Sequence, residues 1–145
     1  MSSQTGGIRK MSLKKMVLGS AGLGIAVIGL IYLLAPHLLL DVYGVDIQSP
    51  SEANIFRSGS GSLFVAVAIL FCLGVSSPRY TRTSLITLFT FMSGLAVGRV
   101  VSIVVDGWPH ALLIAVLVVE ASYAGAAAYV LRAEDSSPQS RETAA

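Results

Sequence analysis

Four apolar runs, Met16–Leu34, Ser58–Val75, Ser84–Val105 and Ala111–Leu131, constrain this chain more than any other feature. Each is close to the roughly 20 residues a helix needs to cross a hydrocarbon core about 30 Å thick. Hydrocarbon offers no water to satisfy backbone groups, so each run must close its hydrogen bonds within itself as a helix. The sequence therefore predicts an all-α fold, an integral membrane four-helix bundle. Composition agrees: 54% of the 145 residues are hydrophobic, 12% are charged, and mean hydropathy is +0.74, too apolar for an ordinary soluble domain. The net charge of +2 is small and its basic residues form no stripe on a polar face. That excludes nucleic acid as a partner and leaves the lipid bilayer.

The joints between the runs carry turn and cap signals. Pro36 to Gly44 reads as a short interfacial helix stopped by glycine after the first span. Ser49-Pro50-Ser51-Glu52 reads as a capping box with proline at the first helical position. Ser76 to Tyr80 and Gly107-Trp108-Pro109 turn the chain at the other two joints, and Trp108 suits a membrane interface. Arg9, Lys10, Lys14, Lys15, Arg79, Arg82 and Arg132 fall on one side of this topology, whereas Asp41, Asp46, Glu52 and Asp106 fall on the other. The positive-inside rule then puts both termini in the cytoplasm. The first run is too long for a signal-peptide core and lacks a small-residue cleavage site after it. Residues 1–15 and 133–145 are polar and read as disordered cytoplasmic tails around a transmembrane domain at 16–132.

Helices in lipid associate through close backbone approach, so small residues mark their contacts. Gly22, Ala26 and Gly29 share a face of the first span, Gly94, Gly98 and Ser102 one of the third, and Ala124 and Ala128 one of the fourth. Arg99 and Glu120 have no such simple role, because a charge near a helix centre costs about 2.5–3.5 kcal/mol on insertion scales. Counted from the outer joint, Arg99 lies roughly 10 Å deep and Glu120 roughly 16 Å deep. Side chains lean toward their own helix N-terminus. The third span starts inside and the fourth outside, so the two heads converge.

Arg57, Arg99, Ser102 and Asp106 form a predicted polar seam in the outer half, with Glu120 at its floor and Asn54, Ser58 and Ser60 or Ser62 at its edge. Two readings stand for it. One is a closed ion pair that fixes register. The other is a pocket that binds an anionic or polar group or moves protons. No catalytic set is legible. His37 and His110 lack a third ligand of clear spacing, so no metal site is assigned. Cys72 has no partner for a disulfide and reads as packing.

The pattern Ala35-Pro36, Tyr43-Gly44-Val45-Asp46, Asn54-Ile55-Phe56-Arg57, Gly98-Arg99-Val100-Val101-Ser102, Asp106-Gly107-Trp108-Pro109 and Glu120 resembles the domain of unknown function 4345 family, small four-span bacterial membrane proteins. The resemblance covers roughly Met16 to Leu131 and implies a bacterial inner-membrane location. The architecture is also distantly similar to DoxX-like four-helix membrane proteins, some of them associated with quinone-linked sulfur oxidation. The leading functional expectation is a non-enzymatic binding or accessory module with an outward-facing polar pocket. A small oligomeric proton-coupled transporter using Glu120, and a quinone-linked redox subunit, are the alternatives. No cofactor is assigned; quinone or lipid is the ligand class left open, and a second copy or another membrane protein is the partner class.

Overall fold

The computed structural model describes residues 2–136, all of whose regular structure is helical. Helix α1 covers Ser2–Leu34 and is followed by the short α2, His37–Leu40, and a 3-10 turn at Asp41–Tyr43. Helix α3, Pro50–Ile55, passes through a π-helical turn at Phe56–Ser62 into α4, Leu63–Ser76. Helix α5, Pro78–Asp106, and α6, Ala111–Asp135, complete the chain. Four segments are long and apolar enough to cross a membrane: Leu13–Leu34, Pro50–Ser76, Pro78–Asp106 and Ala111–Glu134. The protein is a multi-pass membrane protein built as a four-helix bundle.

The local signals act through identifiable bonds. Gly44 stops the interfacial segment at φ 74°, the left-handed conformation glycine adopts without a Cβ penalty. Ser49 Oγ accepts from the Glu52 backbone N–H at 3.2 Å, one half of a capping box. The other half is displaced by one residue: Glu52 Oε2 accepts from the Gln48 N–H at 2.7 Å. The interfacial helix also tightens after one turn into the 3-10 segment. The third span starts earlier than its apolar run, at Pro78, because a single extended residue, Ser77, suffices to reverse the chain. Thr81 Oγ1 donates to the Gly74 carbonyl at 2.8 Å, tying the first turn of α5 to the last turn of α4.

In the bundle α1 lies along α4, α4 against α5, and α5 against α6, while α6 and α5 also reach α1. Leu18, Phe71, Leu85 and Leu88 are fully buried at the centre. Backbone approach is closest where glycine removes the side chain. A Cβ on Gly61 would lie 2.7 Å from the Leu33 backbone nitrogen, one on Gly29 would lie 2.9 Å from Phe64 Cβ, and one on Gly74 would overlap Ser84. Ser84 is itself fully buried and donates to the Leu70 carbonyl at 2.7 Å. The α1 face containing Gly22 and Gly29 therefore packs as its spacing implies. The α5 face does not: a Cβ on Gly94 or Gly98 would meet nothing within 4 Å, because α5 turns Ser84, Leu85, Leu88 and Met92 inward instead.

Helix α1 reaches back to Ser2, into the segment that composition alone assigns to a tail. At the same end of the bundle Lys14 forms an ion pair with Glu134, and Arg82 approaches that carboxylate at 3.6 Å. Three helices are joined there. Residues 137–145 of the C-terminal tail lie outside the described residues.

Candidate functional site

Arg99 sits two turns before the end of α5 at Asp106, about 10 Å along the axis, and Glu120 about 14 Å from the start of α6 at Ala111. The joint between them is compact. Gly107 takes φ 95°, and His110 closes the start of α6 by accepting from the Leu112 N–H on Nδ1 at 3.3 Å. Both helices are thus pinned near the joint, which fixes the height of the two charges relative to one another.

The side chains meet. Arg99 Nε donates to Glu120 Oε2 at 2.8 Å and its Nη2 to Oε1 at 2.9 Å. This is a side-on, bidentate guanidinium–carboxylate contact, the strong form of a charge-assisted hydrogen bond. Glu120 is 5% exposed, so both carboxylate oxygens depend on Arg99. The arginine side chain is 29% exposed and unequally used. A guanidinium has five N–H donors. The side-on contact occupies Nε and one edge of Nη2, and Nη1 has no hydrogen-bond partner among the described residues. The pair is therefore closed on the carboxylate side and open on the guanidinium side.

Tyr32, near the end of α1, lies within electrostatic range of both Arg99 and Tyr43. Its ring stacks on Phe56 at 6.4 Å between centroids and meets Phe64 edge-on at 6.3 Å. Phe64 in turn meets Phe91 edge-on at 5.5 Å, so an aromatic chain runs from the π-helical turn through α1 and α4 to α5. Sequence reasoning missed these residues, because aromatic residues in an apolar run read as filler. One signal was present: Tyr32 is the single tyrosine in the run Met16–Leu34 and stands near its end, where an amphipathic ring suits the membrane interface.

The remaining predicted seam residues make their hydrogen bonds to groups other than Arg99 and Glu120. Ser102 donates to Asp106 Oδ2 at 2.9 Å, one turn along α5, and both are exposed. Arg57 turns to the end of α1, where its Nη1 donates to the Leu33 carbonyl at 2.9 Å. That carbonyl belongs to the last turn of a helix and has no intrahelical donor, so a cation is favoured there. Asn54 is exposed, and its carbonyl accepts from Ser58 Oγ at 2.8 Å. Ser62 likewise donates to the Arg57 and Ser58 carbonyls, as hydroxyls do across a π-helical turn. The π-turn packs on α1, α3 and α4, and through α1 its Phe56 reaches Tyr32.

A family model described as a domain of unknown function, DUF4345, matches residues 13–131. The chain belongs to the DUF4345 family. No curated protein and no solved structure matches it. The DUF4345 match takes in the first three membrane segments whole and the fourth as far as Leu131, and with them Tyr32, Arg57, Arg99 and Glu120.

Proposed function

We propose that this DUF4345 protein is a non-enzymatic binding module of the bacterial inner membrane, with both termini in the cytoplasm and its polar site in the outer half of the bilayer. Arg9, Lys10, Lys14 and Lys15 in the first half of α1, Arg79 and Arg82 in the first turns of α5 and Arg132 near the end of α6 support that orientation. One observation carries the binding reading: a guanidinium neutralised by a buried carboxylate still has donors with no hydrogen-bond partner among the described residues. A pair serving only to fix register has no use for an exposed donor edge. Because Glu120 already balances the charge, the site suits a neutral hydrogen-bond acceptor, a carbonyl or ether oxygen, better than a free anion.

The aromatic chain favours a second, narrower reading of the same site. A flat ring bearing acceptor oxygens, such as a quinone, gains stacking from Tyr32 and Phe64 as well as a hydrogen bond from Arg99. The test for both is extraction of small molecules retained by the protein after purification in mild detergent, identified by mass spectrometry. The wild type should carry a neutral acceptor-bearing molecule that Arg99→Lys loses, since lysine keeps the charge but not the spare planar donors. An extract identical for the two proteins would refute the reading.

A further inference from the structure

On the surface of the bundle, away from Arg99, α1 and α4 enclose a groove of about 270 Å³. Its depth comes from side-chain size. Ala26 and Ala68 form the floor, and Leu30, Ile69, Cys72 and Leu73 stand around them. Ile69 and Leu73 are exposed at 57% and 43%, so the groove opens where the bundle meets its surroundings. From Val65 to Ser76 it follows twelve residues of α4, about 17 Å of helix, close to the roughly 15 Å of hydrocarbon in one leaflet. Ser76, at one end, spends its hydroxyl on the Cys72 carbonyl at 2.9 Å, leaving walls that ask only for hydrocarbon.

That end is cationic. In the antiparallel pair of helices Leu33 faces Gly61, Gly29 faces Phe64, Gly22 faces Phe71 and Gly19 faces Val75. Helix α4 ends at Ser76 and Ser77 reverses the chain, so Lys15, one turn before Gly19 on α1, and Arg79, three residues after Ser76 in the first turn of α5, both lie at this end of the groove. Lys15 is also three helical turns from Ala26 and so on the groove face of α1. Lys14 and Arg82 at this level face Glu134. Lys15 and Arg79, both exposed, have no acidic partner among the described residues; Arg79 only overlies the Tyr80 ring at 5.9 Å.

We propose that the α1–α4 groove is a binding site for an anionic phospholipid, one acyl chain lying over Ala26 and Ala68 and the phosphate held between Lys15 and Arg79. The apolar trough and the two unbalanced cations match the two halves of that ligand, and neither depends on the Arg99 site.

Native mass spectrometry of the full chain in detergent, with phosphatidylglycerol or phosphatidylcholine added, tests this. At about a factor of five per cation near a headgroup, two cations give roughly 30-fold preferential retention of phosphatidylglycerol. The double variant Lys15→Gln with Arg79→Gln should abolish that preference, whereas Arg132→Gln, which removes a cation from the same end but not from the groove, should leave it. Filling the trough with Cys72→Trp should lower retention of both lipids; Leu73→Trp serves if the first fails to give a wild-type circular dichroism melt. Equal retention of the two lipids by the wild type overturns the proposal. So does an Arg132→Gln variant that loses the preference as fully as the double variant, or folded trough variants that bind as well as the wild type.

Discussion

Replacing Arg99 and Glu120 by methionine, singly and together, should show strong coupling between them. The Arg99→Met variant strands a carboxylate that is 5% exposed and that has lost hydrogen bonds of 2.8 and 2.9 Å. Breaking a buried pair from one side costs about 3–5 kcal/mol, because the survivor stays desolvated. The Glu120→Met variant strands a guanidinium that is 29% exposed on a long stem, which can bend toward the interface, so its cost should be smaller, about 1–3 kcal/mol. With both charges gone no group is left unpaired, and an apolar pair of similar volume is often neutral or stabilising by about 1–4 kcal/mol. The double variant should therefore be at least as stable as either single one, with a coupling energy of at least about 2 kcal/mol. Reversible unfolding in mixed micelles of increasing denaturing detergent, followed by circular dichroism, measures all four corners of the cycle. Additive costs, within about 0.5 kcal/mol, would refute a direct contact between the two side chains.

Close helix contact makes a second set of predictions. Gly61→Ala should destabilise by about 1–3 kcal/mol, since its Cβ meets the Leu33 backbone, whereas Gly98→Ala, with nothing within 4 Å, should stay within about 0.5 kcal/mol in the same unfolding assay. Arg57→Ala should cost no more than about 1.5 kcal/mol, the loss of one exposed cap on the Leu33 carbonyl, and should leave the molecules retained by the protein unchanged in extracts. Tyr32→Phe, which keeps the ring, should keep both the melt of the wild type and the acceptor-bearing molecule, whereas Tyr32→Ala should reduce retention of that molecule in the extracts. Glu134→Gln should cost less than about 1 kcal/mol, an effect that added salt in the same assay should shrink.

The spans were legible because a bilayer of fixed thickness imposes both length and hydropathy, and because proline and glycine mark the joints. The partner of Arg99 was legible for a related reason: helix rise sets depth, and side-chain lean sets which way each head moves. What the spacing of residues could not supply was rotation about each helix axis. Gly94, Gly98 and Ser102 have the spacing of a packing face, yet α5 buries the opposite set from Ser84 to Met92. Nor could spacing show that Arg57 donates a hydrogen bond to the Leu33 carbonyl at the end of α1. Tyr32 and its aromatic neighbours come together only once three helices and a π-helical turn are in register. The groove between α1 and α4 likewise depends on which alanines face each other.

A guanidinium of α5 and a carboxylate of α6 are held in contact inside the bundle. Solid-state NMR on protein in bilayers, with the arginine side chains labelled with 15N and the glutamate carboxylates with 13C, measures that contact directly. The account predicts a strong nitrogen–carbon dipolar coupling, of hydrogen-bond contact, that involves Nε and one Nη of Arg99 and disappears in Glu120→Gln made without the label at that position. A spectrum in which Arg99 couples to no glutamate carboxylate, or in which both Nη nitrogens couple equally, would contradict it.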